Sequence, residues 1–207
     1  MKRLLVALAL ACAVSAPAAE PGFTSLWDGK TFNGWKKSTD NPDTFRIADG
    51  AIIANGPRCH LYYTGNVHGG TFKDFELMID VMTKPKANGG VYFHTEYQAD
   101  GWPAKGFEVQ VNNTHGDWRK SAGLYAVQDV KDALPDEEWF TEHIVVKGNN
   151  VKIYRNGKQV VDWTQPPDWT PPEGMAGRKL GAGTFALQGH DPGSTVYYKN
   201  IRVKPLD

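Results

Sequence analysis

Gly106-Phe107-Glu108-Val109-Gln110-Val111 alternates strictly between apolar and polar side chains, and a later stretch, Phe185-Ala186-Leu187-Gln188-Gly189-His190, repeats the pattern. Successive side chains of a strand point to opposite faces, so Phe107, Val109 and Val111 share one face and Glu108, Gln110 and Asn112 the other. In the later stretch Phe185 and Leu187 face one way, and Ala186, Gln188 and His190 the other. Outward sheet faces usually carry Thr, Lys, Arg and Ser. Here they carry a carboxylate, three carboxamides and an imidazole, groups that can hold a polyhydroxylated ligand and move a proton. The shared polar face is therefore the expected working surface.

The rest of the chain supports an all-β reading. No stretch after the first residues sustains the 3.6-residue period of a helix, and 22 Gly and 13 Pro punctuate the 207 residues. Short alternating runs recur instead, among them 75–81, 91–95, 143–147, 151–155, 158–161 and 195–203. Many short strands at this spacing predict a β-sandwich or jelly roll. Asn156-Gly157 accepts the positive φ values of a type I′ turn and predicts a tight hairpin. In 75–81 the residues Phe75, Leu77, Ile79 and Val81 read as inward. In 91–95 Val91 and Phe93 read as inward, with Tyr92 and His94 outward. Residues 165–182, with Pro166-Pro167 and Pro171-Pro172, read as a long exposed loop of the kind that often forms a rim or lid.

The amino terminus differs in kind. Lys2-Arg3, an apolar run over 4–14 and Ala16-Pro17-Ala18 read as a secretory signal peptide over 1–19. Residues 20–207 then form one domain, exported to the bacterial periplasm or the extracellular space, with no transmembrane segment after signal removal. Ala9-Leu10-Ala11-Cys12 resembles a lipobox with Leu one place late, so lipid anchoring at Cys12 is the minor reading. Beyond the leader only Cys59 remains, which excludes an internal disulfide and reads as a small buried residue. Zero net charge without a basic block excludes nucleic acid as the natural partner.

The ordered motifs resemble a known family. They run through Phe23-Thr24-Ser25-Leu26-Trp27-Asp28-Gly29-Lys30, Gly34-Trp35, Asn88-Gly89-Gly90-Val91, Gly106-Phe107-Glu108-Val109-Gln110 and Ala122-Gly123-Leu124-Tyr125. They close with Tyr154-Arg155-Asn156-Gly157 and Ala186-Leu187-Gln188-Gly189-His190. The chain is similar to the 3-keto-disaccharide hydrolase family, described also as 3-keto-glucoside 1,2-lyase and 3-keto-2-hydroxyglucal hydratase domains. That resemblance implies a concanavalin A-like β-sandwich and cleavage of 3-keto glucosides or disaccharides. The ketone would come from a separate dehydrogenase, since no dinucleotide-binding fingerprint is present. One departure stands out: where the family often ends a strand with Arg, this chain has His94, a titratable ring in place of a permanent cation.

A 3-keto group acidifies the proton on C2. Its removal gives an enolate that can expel the aglycone from C1, and addition of water completes a net hydrolysis. This route needs a base near C2, a partner for the developing oxyanion and a proton donor for the leaving group. The expected roles are His190 or Glu108 as base, Tyr125 supporting the leaving group or water, and Gln110, Gln188 and His94 holding substrate. Trp102, on a loop flanking the Glu108 strand as Trp118 also is, is the expected rim contact for a sugar face. Glu108 and His190, with His94, are also the expected donors if a divalent metal takes part. The plain reading of Glu108 is an ion pair with a neighbouring Lys or Arg. His60, His68, His115 and His143 read as surface or loop residues, and Trp27, Trp35 and Trp139 as core. The rival functions are a non-catalytic, lectin-like carbohydrate-binding module and a conventional glycosidase, which would want a second carboxylate where Gln110 stands.

Overall fold

The computed structural model describes residues 20–206; the expected leader over 1–19, and Cys12 within it, lie outside them. The strands are β1 (Thr24–Ser25), β2 (Trp35–Lys37), β3 (Phe45–Ala48), β4 (Ala51–Asn55), β5 (Cys59–Tyr63), β6 (Phe75–Thr83), β7 (Gly89–Thr95) and β8 (Phe107–Val111). They continue with β9 (Lys120–Leu124), β10 (Gln128–Val130), β11 (Phe140–Lys147), β12 (Asn150–Arg155), β13 (Lys158–Thr164), β14 (Thr184–Gly189) and β15 (Thr195–Pro205). Two short 3-10 turns, Pro42–Thr44 and Val67–Gly70, are the helical segments among the described residues.

These strands make two antiparallel sheets, the expected all-β sandwich. One runs β13-β12-β11-β6-β15-β4-β3, with β1 paired to β15, and the other runs β10-β9-β8-β7-β14-β5-β2. Between them lie Phe75, Leu77, Ile79 and Val81 of β6 and Ile144 and Val146 of β11. Facing these are Phe107, Val109 and Val111 of β8 with Phe185 and Leu187 of β14, all buried. Each such side chain contributes about 1.5–3 kcal/mol on burial. Cys59 is a free, buried thiol. Asn156 (φ 50°) and Gly157 (φ 77°) turn β12 into β13 as the Asn-Gly pair requires.

The outer faces of the two sheets differ, and the difference locates the site. β6, β11 and β12 alternate between buried and partly exposed residues, so their outer face meets solvent. In β5, β7, β8 and β14 every residue is buried. One face of these strands covers the core, and the other lies under loops 96–105 and 165–182. Trp27 and Trp35 are buried, their indole N–H groups donating to Thr31 O and Leu26 O. Trp139 corrects the sequence reading: it is 39% exposed, with Lys199 over its ring at 3.8 Å, because it precedes β11 on the solvent side.

Candidate active site

The roofed face is ordered in rows across neighbouring strands. Glu108 of β8 pairs with Tyr92 of β7, Tyr92 with Ala186 of β14, and Ala186 with Tyr62 of β5. The next row holds Gln110, Gly90, Gln188 and His60 in the same strand order. Gly90 is what lets Glu108 lie across β7. A Cβ there would stand 2.7 Å from the Glu108 Oε1 and 3.0 Å from its Cγ.

Glu108 is a fully engaged carboxylate. Its Oε2 accepts from the Tyr92 hydroxyl at 2.8 Å and from Arg178 Nη2 at 3.2 Å, and its Oε1 accepts from Gln188 Nε2 at 3.0 Å. Burial, together with the neighbouring Glu108 charge, holds the Tyr92 phenol well above its ordinary value, so Tyr92 is the donor in this pair. The plain reading of Glu108 as an ion-pair partner is thus realised, but with a loop residue. Arg178 comes from the Pro-rich loop, where its guanidinium lies 5.2 Å from the Tyr125 ring centre and Trp169 Nε1 donates to its carbonyl at 2.7 Å.

His190 follows β14 directly and bonds through Nδ1 to Asp191 Oδ2 at 2.8 Å. Asp191 also accepts from the Ser194 hydroxyl at 2.6 Å and the Gly193 N–H at 2.8 Å. Burial alone would raise the Asp191 carboxyl, but these hydrogen bonds from Ser194, His190 and Gly193 outweigh it and hold it below its ordinary value. With Nδ1–H committed to a carboxylate, Nε2 is the nitrogen left to accept a proton.

A cavity of about 420 Å³ gathers these groups, within the usual range of small-molecule sites. Glu108, Gln110, Gln188, His190, Tyr125 and Trp102 all line it, together with Tyr92, Asn88, Arg178 and Met175. The Trp102 indole, 45% exposed, lies 5.3 Å from the His190 ring. Gln110 donates to Asn88 Oδ1 at 3.0 Å. Burial raises the Tyr125 hydroxyl above its ordinary value, so it keeps its proton at neutral pH. Three buried atoms of residues that line the cavity have no protein partner: Gln110 Oε1, Gln188 Oε1 and Arg178 Nη1. Two acceptors and one cationic donor are what hydroxyls and a carbonyl or oxyanion would satisfy.

His94 is not among them, and the expectation that it faces substrate is corrected. Opposite Thr184–Ala186, β7 carries one extra residue, a bulge, and His94 has φ 54°. The bulge turns the ring inward, 5.7 Å from Phe75 and 5.3 Å from Phe93. There Nδ1 accepts from the Gly181 N–H and Nε2 donates to Lys73 O at 2.8 Å. His60 is likewise misread as a surface residue: it is fully buried beneath Trp102. Trp118 stands outside the cavity, exposed beside Lys120 and Lys131.

The donors present do not fit a divalent metal. Both Glu108 oxygens are taken by protein donors, His94 is elsewhere, and among the described residues no three His, Cys, Asp or Glu converge. Three groups that sequence reasoning missed are Arg178, Tyr92 and Asp191. Tyr92 was legible, since alternation turns it outward beside Glu108. Arg178 sits in a loop without periodicity, where no pattern singles it out.

Comparison with known proteins agrees with this fold. Residues 22–204 match the model of the 3-keto-alpha-glucoside-1,2-lyase-like domain. A 3-keto-disaccharide hydrolase of Bacteroides thetaiotaomicron is 27% identical over 238 residues, covering 92% of this chain and 81% of the relative. A Parabacteroides distasonis protein described as a candidate glycosyl hydrolase superposes with a TM-score of 0.76 at 23% identity, over 90% of this chain and 94% of that one. The carbohydrate-binding module CBM66 of Bacillus subtilis shares the fold, with a TM-score of 0.58 and 14% identity over 83% and 95% of the two chains.

Proposed function

This chain belongs to the 3-keto-α-glucoside-1,2-lyase-like family, and from that premise we propose that it cleaves 3-keto glucosides or disaccharides by elimination at C2 and C1 followed by hydration. The observation that carries the reading is the pairing of two polar units in one cavity. Arg178, with Nη1 free, is anchored on Glu108, and His190 is oriented by Asp191.

His190 takes the C2 proton on Nε2. Glu108 is the weaker choice of base because three donors already bind its oxygens, and its role is to hold Arg178 in place. Arg178 Nη1 then meets the C3 oxygen as it becomes negative, in a buried setting where such a contact is worth most. Gln110 Oε1 and Gln188 Oε1 accept from sugar hydroxyls. Tyr125, still protonated, donates its proton to the departing oxygen; as the tyrosinate it then takes a proton from the water that adds at C1, while His190 returns its proton to C2. The route uses no metal, so a chelator leaves turnover unchanged. The leader-like residues 1–19 support export as part of the same reading, with a separate dehydrogenase supplying the ketone.

The deciding experiment offers the protein an ordinary glucoside and its 3-keto form, with and without chelator. Cleavage of the 3-keto form alone is expected. Equal or better cleavage of the ordinary glucoside points to a conventional glycosidase, and binding without cleavage of either points to a lectin-like module.

A further inference from the structure

His60 and Tyr62 continue the two rows of the active-site face by one strand. His60 pairs with Gln188 and Tyr62 with Ala186, on the same outward side of the sheet. Both are completely buried, yet neither ring nitrogen of His60 nor the Tyr62 hydroxyl has a hydrogen-bond partner. Burial lowers the His60 pKa to about 3, so the ring is neutral, with one donor and one acceptor unused. Three unsatisfied groups side by side are costly, and such groups in a native interior call for a reason.

Their cover is a loop and not the core. The Trp102 ring lies 5.7 Å from the His60 ring, and the Tyr97 ring 5.4 Å from the Tyr62 ring. Cations rest on this roof: Arg58 over Trp102 at 5.5 Å and Lys36 over Tyr97 at 3.8 Å. The loop is tied down by bonds from Thr39 to Ala99 O and from Gly101 N–H to Asp40. On its other side Trp102 walls the cavity that holds His190 and Glu108. The Trp102 ring thus separates the cavity from His60, and the neighbouring Tyr97 ring covers Tyr62. From Glu108 to Tyr62 there are three interstrand steps, about 14 Å, which is room for two hexose rings in a line.

We propose that the cavity continues beneath Trp102 into a second sugar subsite, floored by His60 and Tyr62 and bordered by Tyr92, which takes the leaving hexose of a disaccharide when the indole turns aside. The inference rests on the 3-keto-glycoside reading for the identity of the first sugar. His60 and the Tyr62 hydroxyl hydrogen-bond the hydroxyls of the second ring, and the displaced Trp102 face stacks on its C–H surface.

The test compares a 3-keto disaccharide with the methyl 3-keto glucoside, whose leaving group is too small to reach His60. In His60→Gln and Tyr62→Phe the ratio of kcat/KM for the disaccharide over the methyl glucoside falls about tenfold, the effect of one lost hydrogen bond of ordinary strength. An unchanged ratio overturns the subsite and leaves His60 a packing residue. Because a buried substitution can unfold the chain, the imidazole signals of His60 in the wild-type protein are followed by NMR during titration with the same two sugars. Movement with the disaccharide alone supports the subsite; no movement, or equal movement with both, overturns it. If the wild-type protein cleaves neither sugar, the proposed reaction fails, and the titration still decides the subsite by the same outcomes.

Discussion

The Asp191 carboxylate accepts from His190 Nδ1, from Ser194 and from the Gly193 N–H, and each bond constrains the imidazole beyond what β14 alone imposes. Held below its ordinary 3.8, that carboxyl stays charged through mildly acidic conditions. His190 and Asp191 therefore separate experimentally. His190→Ala removes the proton acceptor and lowers kcat by about 10²–10⁴, the usual worth of a positioned base. Asp191→Asn keeps the shape but loses the charge, and lowers kcat, by about 10⁴ at most, with little change in KM, because the ring is no longer held in the Nδ1–H tautomer. Steady-state kinetics with melting curves as the folding control check both. A His190→Ala protein with wild-type kcat would mean the proton leaves to another group.

At the level of elements, the loop over 165–182 is a strap that delivers Arg178 to Glu108. Its anchor is Trp169, whose N–H donates to Arg178 O and whose ring meets Trp163 of β13 at 4.9 Å. Trp163 in turn packs on Phe107 of β8 at 5.5 Å, and the Gly106 N–H donates to Gly177 O. Trp169→Ala is expected to raise KM for the 3-keto sugar about tenfold and cost about 1–2 kcal/mol of stability, as loss of one half-buried packing site does. Trp169→Phe retains most of the stability but still raises KM in part; a KM rise that only tracks the stability loss in both variants would make the strap a plain structural segment. The strands were legible in the chain because a two-residue period survives any partner, and so were Glu108, Gln110, Gln188 and His190 on one face. The strap was legible only as a loop. Arg178 reaches Glu108 across 70 positions of sequence, and nothing local marks it. The bulge in β7 was hidden for a related reason: an extra residue is defined against the partner strand, so alternation misplaced His94. β5 escaped notice because His60 and Tyr62 are buried beneath a roof contributed by residues some forty positions later, not exposed as a free face would be.

Across the whole molecule, buried titratable groups make folding depend on pH from both sides. Burial lowers His60 from 6.5 to about 3 and lowers His94 as well. Below 6.5 the unfolded chain takes up protons that the folded rings refuse. Their contribution is therefore full above 6.5 and is lost as pH falls, for His60 down to about 3. Glu142, fully buried on β11 with Oε1 accepting from the Ala122 N–H, has the opposite sign. Burial raises its carboxyl well above 4.5, so the folded chain keeps a proton that the unfolded chain releases. Its contribution is full below 4.5 and declines as pH rises through that window. Each group changes the slope of stability by about 1.4 kcal/mol per pH unit. Just below 6.5 two histidines oppose one glutamic acid and stability rises with pH; above it Glu142 lowers stability, joined toward pH 9 by the Cys59 thiol, which burial pushes above its ordinary 9.0. The melting temperature should therefore peak at about pH 6.5, where these signs cross. Glu142→Gln keeps the acceptor for Ala122 and should flatten the alkaline side, whereas His60→Gln should flatten the acidic side. Melting curves from pH 4 to 9 (about one-unit steps suffice) check this, and a flat profile in the wild-type protein, or a decline between about pH 7 and 8 that survives Glu142→Gln, would refute the assignment of these buried charges.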